Sequence, residues 1–220
     1  MRARLRRAFA RWGRPQRLRV DNGTPWGSKG DLPPDLALWL WGLGLGVLWN
    51  PPRRPQRNGV VERSQGVGRA WAEPQTCDRP GQLQRRFDAL DRVQREEYPY
   101  AGGRSRLQVY PQLRHSGRAY GAGWERRHWD WAAVLEQLAG YAVPRRVDSK
   151  GMVSVYNRNH YVGGAYRGRT VYVQLDPQAR AWLFGDERGR VLRERPAEEL
   201  SRRSIRGLAV SHRRRRADQP

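Results

Sequence analysis

The stretch 17-RLRVDNGTPWGS-28, an apolar segment after it, and then 50-NPPRRPQRNGVVERSQGVGR-69 decide how this chain is read. Arg17 to Val20 reads as a short strand that ends on an acid, Asp21, and Asn22, Gly23 and Thr24 turn the chain. The last part opens on a proline-rich turn and leads into a helix that carries Glu62. Two carboxylates on neighbouring elements, set among arginines, can hold a divalent metal against a phosphate.

Between the two parts, Asp31 is placed to cap a helix with Pro33 or Pro34 in its first turn. Leu36, Leu40 and Leu43 form its core-facing stripe, Gly44 and Gly46 close it, and Val47 to Trp49 reads as a second strand. Trp39, Trp41 and Trp49 read as core or shielding residues rather than as platforms for bases. Asn50 to Asn58 is a loop, because its prolines forbid helix. Arg53, Arg54 and Arg57, with Asn58 beside them, suit phosphate contacts, and a solvated surface loop is the plainer reading. Val60 to Trp71 is the Glu62 helix, although Gly66 and Gly68 each cost it roughly 1 kcal/mol relative to Ala. Those glycines would let a helix face lie close to a DNA backbone.

VDNGTPWGS followed by NPPRRPQRNGVVERSQG resembles the catalytic core of DDE transposases and retroviral-type integrases, above all the bacterial insertion-sequence transposases. The resemblance implies a ribonuclease H-like α/β core in which an acid at a strand end and a Glu on a later helix are two of three metal-binding carboxylates. Asp21 matches the second acid and Glu62 the third, 41 positions apart (62 minus 21). Arg69, seven positions after Glu62, falls on the same helix face and matches a basic residue of the family. The implied cofactor is Mg²⁺ (or Mn²⁺), and the implied role of Asp21 and Glu62 is to ligate it during strand transfer. Twenty residues precede Asp21 and none is Asp or Glu, so the resemblance covers the C-terminal part of such a core, without its first strands or first acid. Two functions follow as alternatives. One is a transposase- or integrase-like protein, inactive alone. The other is a non-catalytic basic DNA-binding remnant or regulator.

Composition points the same way. Lys and Arg number 43 against 21 Asp and Glu, a formal charge of +22, which calls for a polyanion such as DNA. An arginine-rich, high-GC coding sequence accounts for part of it. With Cys77 the one cysteine, no internal disulfide forms and a reducing compartment fits, here the cytoplasm and bacterial nucleoid. Met1 is followed by arginines without an apolar core, so no signal peptide is expected. The apolar run Leu36 to Trp49 is broken by Gly42, Gly44 and Gly46 and is too short to span a bilayer.

Outside the central stretch, Ala3 to Trp12 reads as a helix ended by Gly13 and Pro15. Pro80 to Arg95 is an amphipathic helix with Leu83, Phe87, Leu90 and Val93 at helical spacing, a stripe suited to core packing. Tyr98 to Arg118 reads as irregular. Asp130 to Tyr141 is a short helix with Trp131, Val134, Leu135 and Leu138 on one side. His115 and His128 lack zinc-ligand spacing. From Arg145 the pattern changes to strands at 145–147, 152–156, 160–162, 170–175, 181–185 and 191–195 with Gly or Asp/Pro turns. This spacing predicts a small all-β barrel, and SVYNRNHYVGGAYRGRTVYVQLD resembles the Src-homology-like DNA-binding barrel of the same transposases. The expected organisation is a core at 1–118, a helical linker at 119–144, the barrel at 145–200 and a basic tail at 201–220. Expected partners are DNA, and either a second copy or another chain that supplies missing strands. No membrane role is expected.

Overall fold

A computed structural model describes residues 1–27, 31–53 and 59–207. The protein is mixed α/β and divides into two compact units: residues 1–24 with 45–129, and residues 25–44 with 130 onward. Among the described residues, no helix is long and apolar enough to cross a membrane.

The first unit opens with α1 (Arg2–Trp12), which leads into β1 (Arg17–Val20). Gly13 closes α1 at φ 75°, and a Cβ there would come within 2.2 Å of Ser116 Oγ, so only glycine fits. The close approach satisfies the helix end: the Ser116 N–H donates to Trp12 O at 2.8 Å, and the Arg14 N–H donates to Arg118 O at 2.9 Å. α1 is anchored by Phe9, buried edge-on against Tyr120 with ring centres 5.6 Å apart. Trp12 sits between the guanidinium groups of Arg11 and Arg95, 4.4 and 3.9 Å from its ring centre.

β2 (Gly46–Trp49) pairs with β1 in parallel, Arg17 opposite Gly46 and Val20 opposite Trp49. α3 (Gly59–Ala72) and α4 (Pro80–Arg92) then pack against each other. The sequence reads the second helix as running to Arg95. Instead α4 passes at Val93 into one π-helical turn, which ends where the Tyr98 N–H donates to Val93 O at 2.7 Å. The segment expected to be irregular holds a small hairpin, β3 (Pro99–Ala101) with β4 (Arg104–Ser105), and the short α5 (Arg106–Val109). Ser105 and Gln108 form a reciprocal capping box that starts α5. α6 (Ala122–His128) ends the unit.

The second unit is built on α2 (Asp35–Gly42) and α7 (Trp131–Ala139), which pack together. Leu36 through Trp41 are all buried, so the Leu/Trp run is core. Trp39 and Trp41 fill that core, as their apolar surface demands. The expected capping role falls to the other helix. Asp130 caps α7 by accepting from the N–H groups of Ala132 and Ala133, whereas the residue that precedes α2 is Pro34. Asp31 instead accepts from the Leu32 N–H and pairs with Arg145. Burial raises its pKa, but the hydrogen bonds from Arg145 and Leu32 outweigh that and hold the carboxyl below its ordinary value.

Six strands follow: β5 (Val143–Arg146), β6 (Met152–Val155), β7 (Arg158–Tyr161), β8 (Thr170–Asp176), β9 (Ala181–Gly185) and β10 (Val191–Pro196). β10, β9, β8 and β5 form one antiparallel sheet in that order, and α8 (Arg202–Gly207) follows it. Val171, Val173 and Leu175 alternate inward on β8 and meet the buried Trp182 and Phe184 of β9. The expected barrel is corrected here: among the described residues the strands do not close, because β6 and β7 pair only with each other. Side chains make the remaining link. Arg193 and Arg195 of β10 donate to the carbonyls of Val162 and Tyr161 at 3.3 and 2.9 Å. The β6–β7 turn is Tyr156-Asn157, both at positive φ, where sequence reading extends a strand through Tyr156. Tyr156 holds that conformation because its ring is half-buried against Trp182 and its hydroxyl donates to Pro33 O at 2.6 Å.

Candidate metal and nucleic-acid site

Asp21 follows the last residue of β1 and is exposed, with its Oδ1 accepting from the Gly23 N–H at 3.2 Å. Asn22 Nδ2 reaches across the strand pair and donates to Asn50 O at 2.9 Å, and the Asn50 N–H donates to Val20 O at 2.9 Å. Asn50 is buried, and it knits the carboxyl ends of the two parallel strands together. Open α/β sheets bind ligands at that end, so Asp21 stands where a ligating acid is useful. Sequence reading takes Asn50 only as the start of a loop. Its partnership with Asn22 depends on a pairing 28 residues away, which no local pattern displays.

Glu62 and Arg69 lie on one side of α3, about 20° apart around the axis at 100° per residue. Both are exposed. Glu62 sits in the first turn and Arg69 in the last, so each also complements the helix dipole. Arg69 lines a groove of 560 Å³ between α3 and α4 with Gly68, Phe87, Leu90 and Asp91. Gly68 faces α4, and a Cβ on it would meet the Phe87 ring at 3.2 Å. That residue serves close helix–helix packing. Gly66 faces open space and keeps the reading of a backbone that something can approach.

Arg53 is exposed with φ 57° at the start of the proline-rich loop. Arg54, Arg57 and Asn58 lie outside the described residues. The site thus consists of two groups in the first unit: Asp21 with Asn22 and Asn50 at the strand ends, and Glu62 with Arg69 on α3. Its donors are hard carboxylate oxygens, which suit Mg²⁺ or Mn²⁺. Among the described residues, no three His, Cys, Asp or Glu side chains are grouped to hold a metal ion.

Many arginines are occupied by the fold itself. Arg6 makes two hydrogen bonds to the buried Glu125, at 2.7 and 3.0 Å, and Tyr120 donates to the same carboxylate. Arg11, Arg86, Arg92, Arg95, Arg158 and Arg190 pair with acids. By contrast, Arg4, Arg7, Arg17, Arg19, Arg63 and Arg69 of the first unit are exposed, and among the described residues none of these side chains pairs with an acid.

In the second unit, His160 Nε2 and Trp182 Nε1 both contact Glu199 Oε1, at 3.0 and 2.6 Å. This buried group is invisible to motif reading because its members come from two strands and a loop. The Trp182 indole serves as a donor inside the core, and the arrangement locks the hairpin to the sheet. A search of the chain against models of known protein families matches none of them.

Proposed function

We propose that this protein is a DNA-binding member of the transposase and integrase group, with a ribonuclease H-like core in its first unit and a Src-homology-like DNA-binding module in its second. One observation carries the reading. An acid stands at the carboxyl end of the first of two parallel strands, and the second strand is followed in sequence by a proline-rich stretch and then a helix with Glu62 in its first turn and Arg69 on the same side. The exposed, acid-free arginines of the same unit support a phosphate-bearing partner.

In this reading Asp21 and Glu62 hold Mg²⁺ or Mn²⁺, and the ion when bound supplies activation of the attacking oxygen and stabilisation of the leaving one. Arg69 grips a phosphate next to the reacting bond. Asn22 and Asn50 keep the Asp21 turn rigid. The nucleoid is where such a protein acts. The second reading, a non-catalytic DNA-binding regulator, is favoured by the sequence offering two acids at matching positions where the family uses three.

Both readings require DNA binding through phosphates, without a metal. Fluorescence anisotropy of labelled duplex DNA, titrated with the protein in EDTA over a series of salt concentrations, tests this. Log K should fall with log salt at roughly −0.9 per phosphate contacted. A flat dependence between low and moderate salt rules the mode out.

A further inference from the structure

A two-stranded parallel sheet is a rarity, since parallel strands normally lie inside larger sheets covered on both faces. Here β1 has β2 on one side and, among the described residues, no strand on the other. The hydrogen-bond parity fixes which groups face that open edge. Gln16 O and Val20 O accept from the Gly46 and Asn50 N–H groups, so the even-numbered residues of β1 face β2. In a parallel ladder the intervening residues turn their N–H and C=O groups the other way, which puts the backbone polar groups of Arg17 and Arg19 along the open edge.

The side chains of β1 say what would fit there. Arg17 and Arg19 share one face of the strand, are exposed, and pair with no acid among the described residues. Leu18 and Val20 occupy the opposite face, half-buried and buried. Cross-strand neighbours lie side by side on the same face, so an added strand meets arginine on one face and apolar residues on the other. A second copy of β1 would set arginine beside arginine, and two chains of charge +22 repel. Charged edge residues are a usual guard against self-pairing, and this guard admits only the opposite charge.

We propose that the open edge of β1 is a strand-addition site for an extended segment of another polypeptide in which acidic and apolar residues alternate. Main-chain hydrogen bonds to Arg17 and Arg19 give the affinity, and the alternation gives the selectivity. The inference stands on the strand edge alone and does not depend on DNA binding.

The probe is a short fluorescein-labelled peptide alternating Glu and Val, compared with one alternating Lys and Val and with a blocked Glu/Val peptide of equal composition. The full chain should bind the first at least about tenfold more tightly than either control (~1.4 kcal/mol). Amide exchange at Arg17 and Arg19 should slow in the complex. Arg19→Pro removes an edge-facing N–H while sparing the β1–β2 ladder, as proline is tolerated on the solvent side of an edge strand. It should abolish peptide binding. Should that variant misfold, the double change Arg17→Glu and Arg19→Glu keeps both N–H groups and should reverse the preference toward the Lys/Val peptide. Equal binding of all three peptides, an unchanged preference in the charge-reversed variant, or self-association that blocks the probe would each overturn the proposal.

Discussion

Glu125 is 4% exposed on α6, and donors converge on it. Arg6 binds both oxygens and Tyr120 donates to one of them. The pairing raises the Arg6 pKa above its ordinary value, first through the hydrogen bond to Glu125. Burial and the same carboxylate push the Tyr120 hydroxyl well above the ordinary tyrosine range. Removing one partner of a buried pair strands the other charge in a poor solvent. Arg6 is 40% exposed, so the expected cost of Arg6→Ala is below the fully buried case, about 2–3 kcal/mol. Denaturant unfolding of the variant checks this, and a loss under about 0.5 kcal/mol would show that the contact contributes no more than a surface ion pair. The same residue type thus does opposite jobs in this chain: Arg6 is structural, whereas Arg4 and Arg7 on the same helix stand exposed with no acid partner among the described residues.

At the scale of the element, α3 carries the site and is held mainly along one edge. Gly68 and Ala72 are its buried residues, while Val60, Val67 and Trp71 form an exposed apolar stripe opposite the Glu62–Arg69 side. The two interior glycines separate propensity from packing. At Gly66 an added methyl meets nothing, so Gly66→Ala should stabilise the first unit by about 0.5–1 kcal/mol through helix propensity alone. At Gly68 the same gain is opposed by the Phe87 ring at 3.2 Å, and Gly68→Ala should fall short of it or destabilise. Thermal melts of the two variants give the order, and equal gains would mean that the α3–α4 contact is loose. If Gly66 serves backbone approach to DNA, Gly66→Ala will also weaken DNA binding while it stabilises the fold.

The whole molecule combines a large positive charge with a site that offers two acids at matching positions. The charge and the exposed arginines lead us to expect DNA binding, whereas strand transfer needs its carboxylates in one cluster. The expectation is that the purified chain, incubated with transposon-end or nonspecific duplex DNA and Mg²⁺ or Mn²⁺, binds DNA without cutting or joining it. Denaturing gels would read this directly. Metal-dependent cleavage that disappears with Glu62→Gln would overturn it and would mean that another carboxylate completes the site.

Periodicity and punctuation alone determined α1, α2, α3, α4 and α7 and most strands, whereas α5, α6 and α8 fall in stretches that the sequence reads as irregular, linker and tail. Phe9, Leu36 to Leu40, Leu83 to Leu90, and Val134 to Leu138 fall on regular helical spacing, and Val171 to Leu175 alternate, because a one-sided core imposes those periods on the sequence. The acid at the end of β1 and the Glu62–Arg69 register were equally legible, since both rest on neighbours along the chain. What tertiary structure decided involves partners far apart in sequence. Asn22 meets Asn50, Arg6 meets Glu125, and Glu199 gathers His160 and Trp182. The turn at Tyr156 escaped for the same reason: a tyrosine adopts positive φ only because Pro33 and Trp182 hold its side chain. Likewise the open sheet in place of a barrel depends on whether β7 continues the ladder or is tied by Arg193 and Arg195, and strand alternation reads the same in either case.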